Sequence, residues 1–118
     1  MKRILIVDDE ENIRELYRVE LSDEGYKVEL AENGQQALLK FESFRPDLVT
    51  LDVIMPGMNG IEVLQRIREK NPSVPVLLLT AFGDFRQDFT TWASDAYIVK
   101  SADVSELKET IRRLLGKK

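Results

Sequence analysis

Five short strand-like runs alternate along this chain with stretches in which apolar residues recur at the spacing of a helix. The runs are Arg3–Val7, Lys27–Ala31, Asp47–Leu51, Pro75–Leu79 and Ala96–Val99. Four of them are almost continuously apolar, which is typical of parallel strands covered on both faces. The second run alternates polar and apolar residues and predicts an edge strand. Five strands that alternate with five helices indicate right-handed βαβ units, and therefore a three-layer α/β sandwich.

Four of the five predicted helices carry a clear apolar face. Asp103 with Glu106 predicts a capping box that opens the last helix. The fourth helix, over residues 84–94, is expected to be short or irregular because Thr90 and Thr91 are poor helix formers. The apolar faces are Ile13, Leu16, Tyr17 and Leu21 in the first helix, Ala37, Leu38, Phe41 and Phe44 in the second, Ile61, Leu64 and Ile67 in the third, and Val104, Leu107, Ile111 and Leu114 in the fifth.

The composition narrows the range of functions. The chain has 118 residues, which predicts a single domain over residues 1–118. With 17 Lys and Arg against 21 Asp and Glu, the net charge is −4, which argues against electrostatic binding of nucleic acid. The absence of Cys and His excludes disulfides, thiolate chemistry, imidazole metal ligands and histidine general bases.

No apolar run approaches the roughly 18 residues that span a membrane. The N-terminal run Ile4–Val7 is too short for a signal peptide and is followed at once by two carboxylates. We therefore expect a cytoplasmic protein with no membrane partner. Whether the chain works alone or belongs to a longer protein is open, although the end at Gly116, Lys117 and Lys118 fits a natural terminus.

Polar residues follow four of the five predicted strands. In open α/β sheets, ligands bind beyond the carboxyl ends of the strands, so these residues are candidates for one site. Converging carboxylates repel one another unless a cation neutralises them. Oxygen ligands in a chain without His or Cys suit Mg²⁺ or Mn²⁺. The candidates are Asp8, Asp9 and Glu10 after the first strand, Asp52 after the third, Thr80 after the fourth and Lys100 after the fifth.

Several segments resemble one known family along the whole chain. Ile4–Glu10, Asp47–Asp52, Met55–Gly60, Thr80 with Ala81, and Tyr97–Lys100 are similar to the motifs of the receiver domain of bacterial response regulators. The resemblance implies the flavodoxin-like fold, a five-stranded parallel sheet in the order 2-1-3-4-5.

The resemblance also implies a metal site and a phosphoacceptor. Asp52 would accept the phosphoryl group, and Asp9 and Asp52 would bind Mg²⁺ or Mn²⁺. Asp8 would assist through water, and the backbone carbonyl of Ile54 would complete the protein ligands. A carboxylate is already anionic at neutral pH, so this nucleophile needs no general base, in agreement with a chain that lacks His.

Three further residues take roles from the same resemblance. Lys100 and the Thr80 hydroxyl would hold phosphoryl oxygens, and Tyr97 would be the aromatic residue whose rotamer follows activation. The protein would then be a two-component phosphoacceptor, not an enzyme. A sensor histidine kinase or a phosphotransfer protein would donate to Asp52. A downstream protein partner, or a second relay protein, would read the surface near the fourth helix, fifth strand and fifth helix. Dimerisation is left open.

The chain departs from the family pattern around that surface. Ser101 follows Lys100 where the family usually has a Pro after a cis peptide, and a cis bond without Pro costs about 2.5–4 kcal/mol. The loop therefore either keeps a strained cis bond or runs trans. Thr80 and Lys100 are 20 positions apart, about two residues or half a helical turn fewer than we expect for the family. A shortened face suggests altered partners or self-association.

Aromatic residues are concentrated in the same region. The cluster is either a core-facing stripe or an exposed docking patch, and both interpretations stay open. In the family that the chain resembles, the positions two residues after the phosphoacceptor and after the Thr tune the lifetime of the phosphoryl group. Here these positions hold Ile54 and Phe82, which are apolar and cannot orient an attacking water, so we expect slow self-dephosphorylation. The aromatic cluster is Phe82, Phe85, Phe89, Trp92 and Tyr97.

Three alternative functions compete with this interpretation. The main alternative is a pseudo-receiver that is never phosphorylated and acts as a protein-interaction module, which the departure at Ser101 leaves open. A phosphatase with an aspartyl nucleophile would need a second Asp as acid and base at the position of Ile54, and this chain lacks it. A flavin-binding module would need a hydroxyl- and Gly-rich phosphate loop, and Asp8–Glu11 has the wrong charge for phosphate.

Overall fold

The computed structural model describes residues 1–55, 57–80, 94–101 and 103–116. These residues form five strands and four helices, and the strands make one parallel sheet in the order β2-β1-β3-β4-β5. The flavodoxin-like order is therefore confirmed, with β2 at an edge as its alternating pattern predicts. The elements are β1 (Arg3–Val7), α1 (Glu11–Asp23), β2 (Lys27–Ala31), α2 (Gly34–Phe44), β3 (Leu48–Asp52), α3 (Gly60–Lys70), β4 (Val76–Thr80), β5 (Ala96–Val99) and α4 (Ser105–Leu115).

Some sequence predictions fall outside the described residues. These are residues 84–93 of the predicted fourth helix and, from the aromatic cluster, Phe82, Phe85, Phe89 and Trp92. The predicted fifth helix is α4 of the structure. Three strands begin and end where the sequence predicts, whereas β3 and β4 are each shifted one residue later. Pro75 has no N–H to donate, and only its carbonyl joins the sheet, as acceptor for the Val49 N–H at 3.0 Å.

The sheet separates two apolar cores, because successive residues of a strand point to opposite faces. In β1, Leu5 and Val7 face the core under α2 and α3, whereas Ile4 and Ile6 face the core under α1 and α4. The helices cover these cores with the apolar faces that the sequence predicts. Among the described residues, no helix is long and apolar enough to cross a membrane.

The start of α4 corrects one prediction. Val104 occupies the N-cap position, and no side chain caps the helix. Asp103 accepts a hydrogen bond from the Ser105 N–H at 3.0 Å, two residues on, and so forms a turn before the helix. The capping box predicted from Asp103 and Glu106 is therefore wrong, since the helix begins one residue later than that pattern requires.

The loop after β3 is held by a close approach of two backbones. Gly60 donates its N–H to the Val53 carbonyl at 2.8 Å. A Cβ atom at Gly60 would lie 2.1 Å from the backbone oxygen of Asp52. Three residues earlier, Gly57 has a φ of +78° but nothing within 4 Å of the position of its missing Cβ. Of these two glycines, only Gly60 is therefore required by packing. Its close contact sets where Asp52 lies relative to α3.

These two glycines give a matched pair of variants. Gly57→Ala should lower the free energy of unfolding by about 1 kcal/mol, the usual penalty of a left-handed residue with a side chain. Gly60→Ala should lower it by about 3 kcal/mol or more, because the clash is with backbone that cannot rotate away. Urea unfolding of both variants measures the difference. Equal losses would contradict the claim that this backbone contact constrains the end of β3.

Candidate functional site

Polar side chains stand where four of the five strands end. Asp8 follows β1, Asp52 ends β3, Thr80 ends β4 and Lys100 follows β5. The register of the paired strands brings these ends to one edge of the sheet. Asp8, Asp52 and Thr80 are at most 3% exposed. Buried polar groups of this kind need partners inside the protein.

Lys100 lies at the centre of this group. Its Nζ is 3.0 Å from Asp8 Oδ2, 3.2 Å from Asp52 Oδ2 and 3.1 Å from Glu10 Oε1. Its backbone N–H donates to the Thr80 carbonyl at 2.7 Å, which fixes where the side chain starts. The Lys100–Ser101 peptide bond is trans, as are all described peptide bonds. The loop without Pro thus runs trans, and Lys100 still reaches Asp52.

Three carboxylates converge beside this ammonium group. One oxygen from each of Asp8, Asp9 and Asp52 lies within 4.8 Å of the other two. Asp8 Oδ2 is buried and, among the described residues, has no hydrogen-bond partner, since its contact with Lys100 lacks hydrogen-bond geometry. A buried carboxylate oxygen that accepts no hydrogen bond is suited to bind a cation. A group of ligands that are all oxygen atoms fits Mg²⁺ or Mn²⁺.

Burial and mutual repulsion shift the titration of these groups. Burial raises the pKa of the Asp52 carboxyl to about 7, and the charge of Asp8 adds to the increase while Lys100 opposes it. Burial likewise raises the pKa of Asp8. For Lys100, burial acts to lower the pKa, but the surrounding carboxylates of Asp8, Asp52 and Glu10 outweigh it, so the pKa is raised. The cluster therefore holds a firmly charged ammonium and carboxylates that are reluctant to ionise.

The remaining predicted residues lie around the same edge. The Ile54 N–H donates to Asp52 Oδ1 at 3.4 Å, and the Ile54 side chain is exposed. Tyr97 lies in β5 and packs against the core under α2 and α3. Thr80 is buried at the end of β4. The metal-binding, phosphoryl-binding and switch roles of these residues stay predictions.

Two contacts at the site went unrecognised in the sequence. The sequence places Glu10 after the first strand and predicts no role for it, whereas in the structure its side chain binds Lys100. Arg14 donates from Nη1 to the backbone carbonyl of Asp8 at 2.8 Å, and its Nη2 is 3.7 Å from Glu32. Arg14 lies one helical turn after Glu10, a spacing that places both on the same side of α1 and was the available signal.

The site opens to solvent beside Asp9. A cavity of about 430 Å³ is lined there by Asp9, by the segment from Glu32 to Gln35, and by Gly57 and Met58. The exposed Asp9 is thus the member of the acidic cluster that an incoming ligand meets first, while Asp8 and Asp52 lie behind it.

The comparisons with known proteins agree with this geometry. The sequence model of the response regulator receiver domain matches residues 4–112, and the chain belongs to that family. It is 53% identical to the response regulator TrrA of Thermotoga maritima, whose crystal structure is a complex with Mg(2+)-BeF. The match covers 98% of this chain and 100% of that one, with a TM-score of 0.93. TrrA in complex with the histidine kinase ThkA matches with a TM-score of 0.90, 53% identity and coverage of 98% and 99%.

Curated relatives include longer proteins. The transcriptional regulatory protein TrcR of Mycobacterium tuberculosis is 38% identical over 115 residues, which are 96% of this chain and 45% of that protein. The response regulator ArlR of Staphylococcus aureus is 38% identical over 98% of this chain and 53% of its own length. The chain thus spans about half the length of these relatives.

The raised pKa of Asp52 predicts a pH-dependent stability. The carboxyl titrates at 3.8 in the reference state and at about 7 in the folded protein. Between these values the folded state keeps a proton that the unfolded chain has lost, so this group lowers wild-type stability as pH rises. In metal-free protein above pH 7, Asp52→Asn should therefore raise the free energy of unfolding by about 1–3 kcal/mol.

The gain should vanish as the pH falls well below 3.8, where the wild-type carboxyl is protonated in both states. Urea unfolding across this pH range measures it, with the exposed Asp23→Asn as the control that removes the same charge elsewhere on the surface. A gain for Asp52→Asn that did not change with pH would contradict the assignment of strain to this carboxylate.

Proposed function

We propose that this protein is a two-component response regulator that accepts a phosphoryl group on Asp52 with the help of Mg²⁺. The observation that carries the proposal is the placement of the buried Asp52 carboxylate. It lies 3.2 Å from the Lys100 ammonium and belongs to a three-carboxylate cluster that could hold a cation. A nucleophile, a positive charge and a metal site are what phosphoryl transfer to a carboxylate requires.

The acidic cluster fits a magnesium ion. In this proposal Asp9 and Asp52 bind the ion, Asp8 assists through water, and the Ile54 carbonyl completes the protein ligands, with Mn²⁺ as a substitute. The buried Asp8 Oδ2, which accepts no hydrogen bond from the described residues, supports the assignment, and so does the complex of the similar TrrA with Mg(2+)-BeF. When bound, the ion supplies positive charge that offsets the charge of an incoming phosphoryl group.

The side chains of the chain itself perform the transfer. An Asp52 oxygen attacks the phosphorus of a phosphohistidine on the donor, the new O–P bond forms and the P–N bond breaks. The imidazole nitrogen leaves with the bonding electron pair. Lys100 and the Thr80 hydroxyl hold phosphoryl oxygens, and Lys100 favours the ionised form of Asp52, in opposition to the effect of burial on its pKa.

The donor and the reader are proteins. A sensor histidine kinase as donor is supported by the complex of the similar TrrA with the kinase ThkA, and a phosphotransfer protein is the other candidate. The reader contacts the surface near β5 and α4 and the residues before β5, where Tyr97 responds to the phosphoryl group. The relatives named as transcriptional regulators support a regulatory output, which this chain reaches through a protein partner or by relaying the phosphoryl group.

We also infer where the protein works and how it is organised. The kinase takes its phosphoryl group from ATP, a cytoplasmic metabolite, so the proposed location is the cytoplasm. The single sheet over Arg3–Val99 supports one receiver domain across residues 1–118. The protein is a phosphoacceptor rather than an enzyme, and its aspartyl phosphate is lost slowly, when water attacks the phosphorus and returns the carboxylate and inorganic phosphate.

Intact-protein mass tests the proposal directly. After incubation with acetyl phosphate and Mg²⁺, the wild type should gain the mass of one phosphoryl group. Asp52→Asn should gain none, because an amide cannot form the acyl phosphate, whereas the exposed Asp23→Asn should behave as the wild type. Without Mg²⁺ the adduct should disappear. A folded wild type that binds Mg²⁺ yet forms no adduct would instead favour the unphosphorylated pseudo-receiver.

In this proposal, Ile54, two residues after Asp52, sets how long the phosphoryl group lasts. The exposed Ile54 side chain offers no group that can orient water. Ile54→Asn should shorten the lifetime about tenfold, since its amide can position the attacking water. Ile54→Val keeps an apolar side chain and should leave the lifetime unchanged. Decay of the phosphorylated mass with time measures both, and a wild-type lifetime of seconds would contradict slow self-dephosphorylation.

A further inference from the structure

Glu10 makes a contact that the proposed chemistry does not require. Its Oε1 lies 3.1 Å from Lys100 Nζ, and its side chain is 59% exposed. Asp8 and Asp52 approach the same ammonium group from inside the protein, where their side chains are 1% and 4% exposed. Glu10 therefore covers Lys100 from the solvent side.

The three carboxylates use the full donor capacity of Lys100. An ammonium group has three N–H donors, and Nζ donates to Asp8 Oδ1 at 3.3 Å, to Glu10 Oε1 at 3.1 Å and to Asp52 Oδ2 at 3.2 Å. A phosphoryl oxygen on Asp52 can bind Lys100 only if one of these bonds is given up. Of the two partners that stay carboxylates after phosphorylation, Glu10 can leave more easily than Asp8, because Glu10 can return to water while the buried Asp8 would be left unpaired.

We propose that Glu10 is a positioning residue for Lys100, which holds the ammonium group before phosphorylation and gives way to a phosphoryl oxygen afterwards. This inference rests on the proposed function of the site. Its consequence is that Glu10 opposes phosphoryl binding, because the incoming group must displace a carboxylate from Lys100.

The backbone of Glu10 has a separate role that a side-chain variant leaves intact. Its N–H donates to Asp8 Oδ1 at 2.9 Å, and its carbonyl accepts the Arg14 N–H at 3.0 Å at the start of α1. Glu10→Gln keeps the reach of the side chain and removes its charge. Glu10→Asp keeps the charge and shortens the reach. Glu11→Gln removes an equal charge from the next residue, whose side chain is exposed, and is the matched control.

Binding of beryllofluoride with saturating Mg²⁺, followed by ¹⁹F NMR, tests the exchange. Both Glu10 variants should bind the phosphoryl mimic more tightly than the wild type, by about threefold or more for Glu10→Gln, on the scale of one partly exposed ion pair. Glu11→Gln should match the wild type. Unchanged affinity in both Glu10 variants overturns the proposal. So does equal tightening by Glu11→Gln, or tightening by Glu10→Gln alone, because either result points to charge at a distance.

A double-mutant cycle in metal-free protein tests the contact without any phosphoryl chemistry. Glu10→Gln and Lys100→Met, alone and together, should show a coupling of about threefold in the unfolding equilibrium constant. Glu11→Gln with Lys100→Met should be additive. Additivity of the Glu10 pair overturns the positioning role whatever the beryllofluoride result. Coupling in a wild-type protein that takes up no beryllofluoride would uphold the contact and refute the proposed function.

Discussion

The Lys100 ammonium, set among buried carboxylates at the carboxyl edge of the sheet, is the interaction on which the rest of the site depends. Asp8 and Asp52 are almost fully buried, and each needs positive charge nearby to stay ionised there. Lys100 supplies one charge for these carboxylates, with Asp9 close by as a third. One positive charge is too little for three carboxylates, and the raised pKa of Asp52 is the result. The folded protein thus holds a pocket with excess negative charge, which a divalent cation would relieve.

The same electrostatic arrangement makes the pocket suited to phosphoryl transfer. A carboxylate is a ready nucleophile, so a chain without histidine can still form a covalent phosphoryl intermediate. The difficulty lies in bringing one anion to another, and the groups that stabilise the buried carboxylates also attract an incoming phosphoryl group. Some stability of the metal-free fold is given up for this purpose, as is usual for residues placed for function instead of packing.

Much of this could be predicted from the sequence, for a physical reason that also explains the failures. Strands covered on both faces are nearly continuous apolar runs, and their ends place Asp8, Asp52 and Lys100 together whatever the loops do. The exact ends of the strands were less predictable, because a strand continues for as long as it pairs with its neighbour. Asp52 still pairs with Leu79, so β3 extends one residue beyond its apolar run. The spacing of Glu10 and Arg14 indicates that they lie on the same side of α1. Which groups they contact depends on how α1 packs against the strand ends, and no local pattern encodes that packing.

The most direct measurement is the free energy of unfolding of the wild-type protein at pH 8 with and without saturating Mg²⁺, at matched ionic strength. If the carboxylate cluster is a cation site under electrostatic strain, Mg²⁺ binds the folded state alone and should raise the free energy of unfolding by about 2–4 kcal/mol at concentrations well above its dissociation constant. The gain should shrink as the pH falls below the pKa of Asp52. No stabilisation by Mg²⁺ beyond that given by the matched salt would contradict the assignment of the cluster as a metal-dependent phosphoryl site.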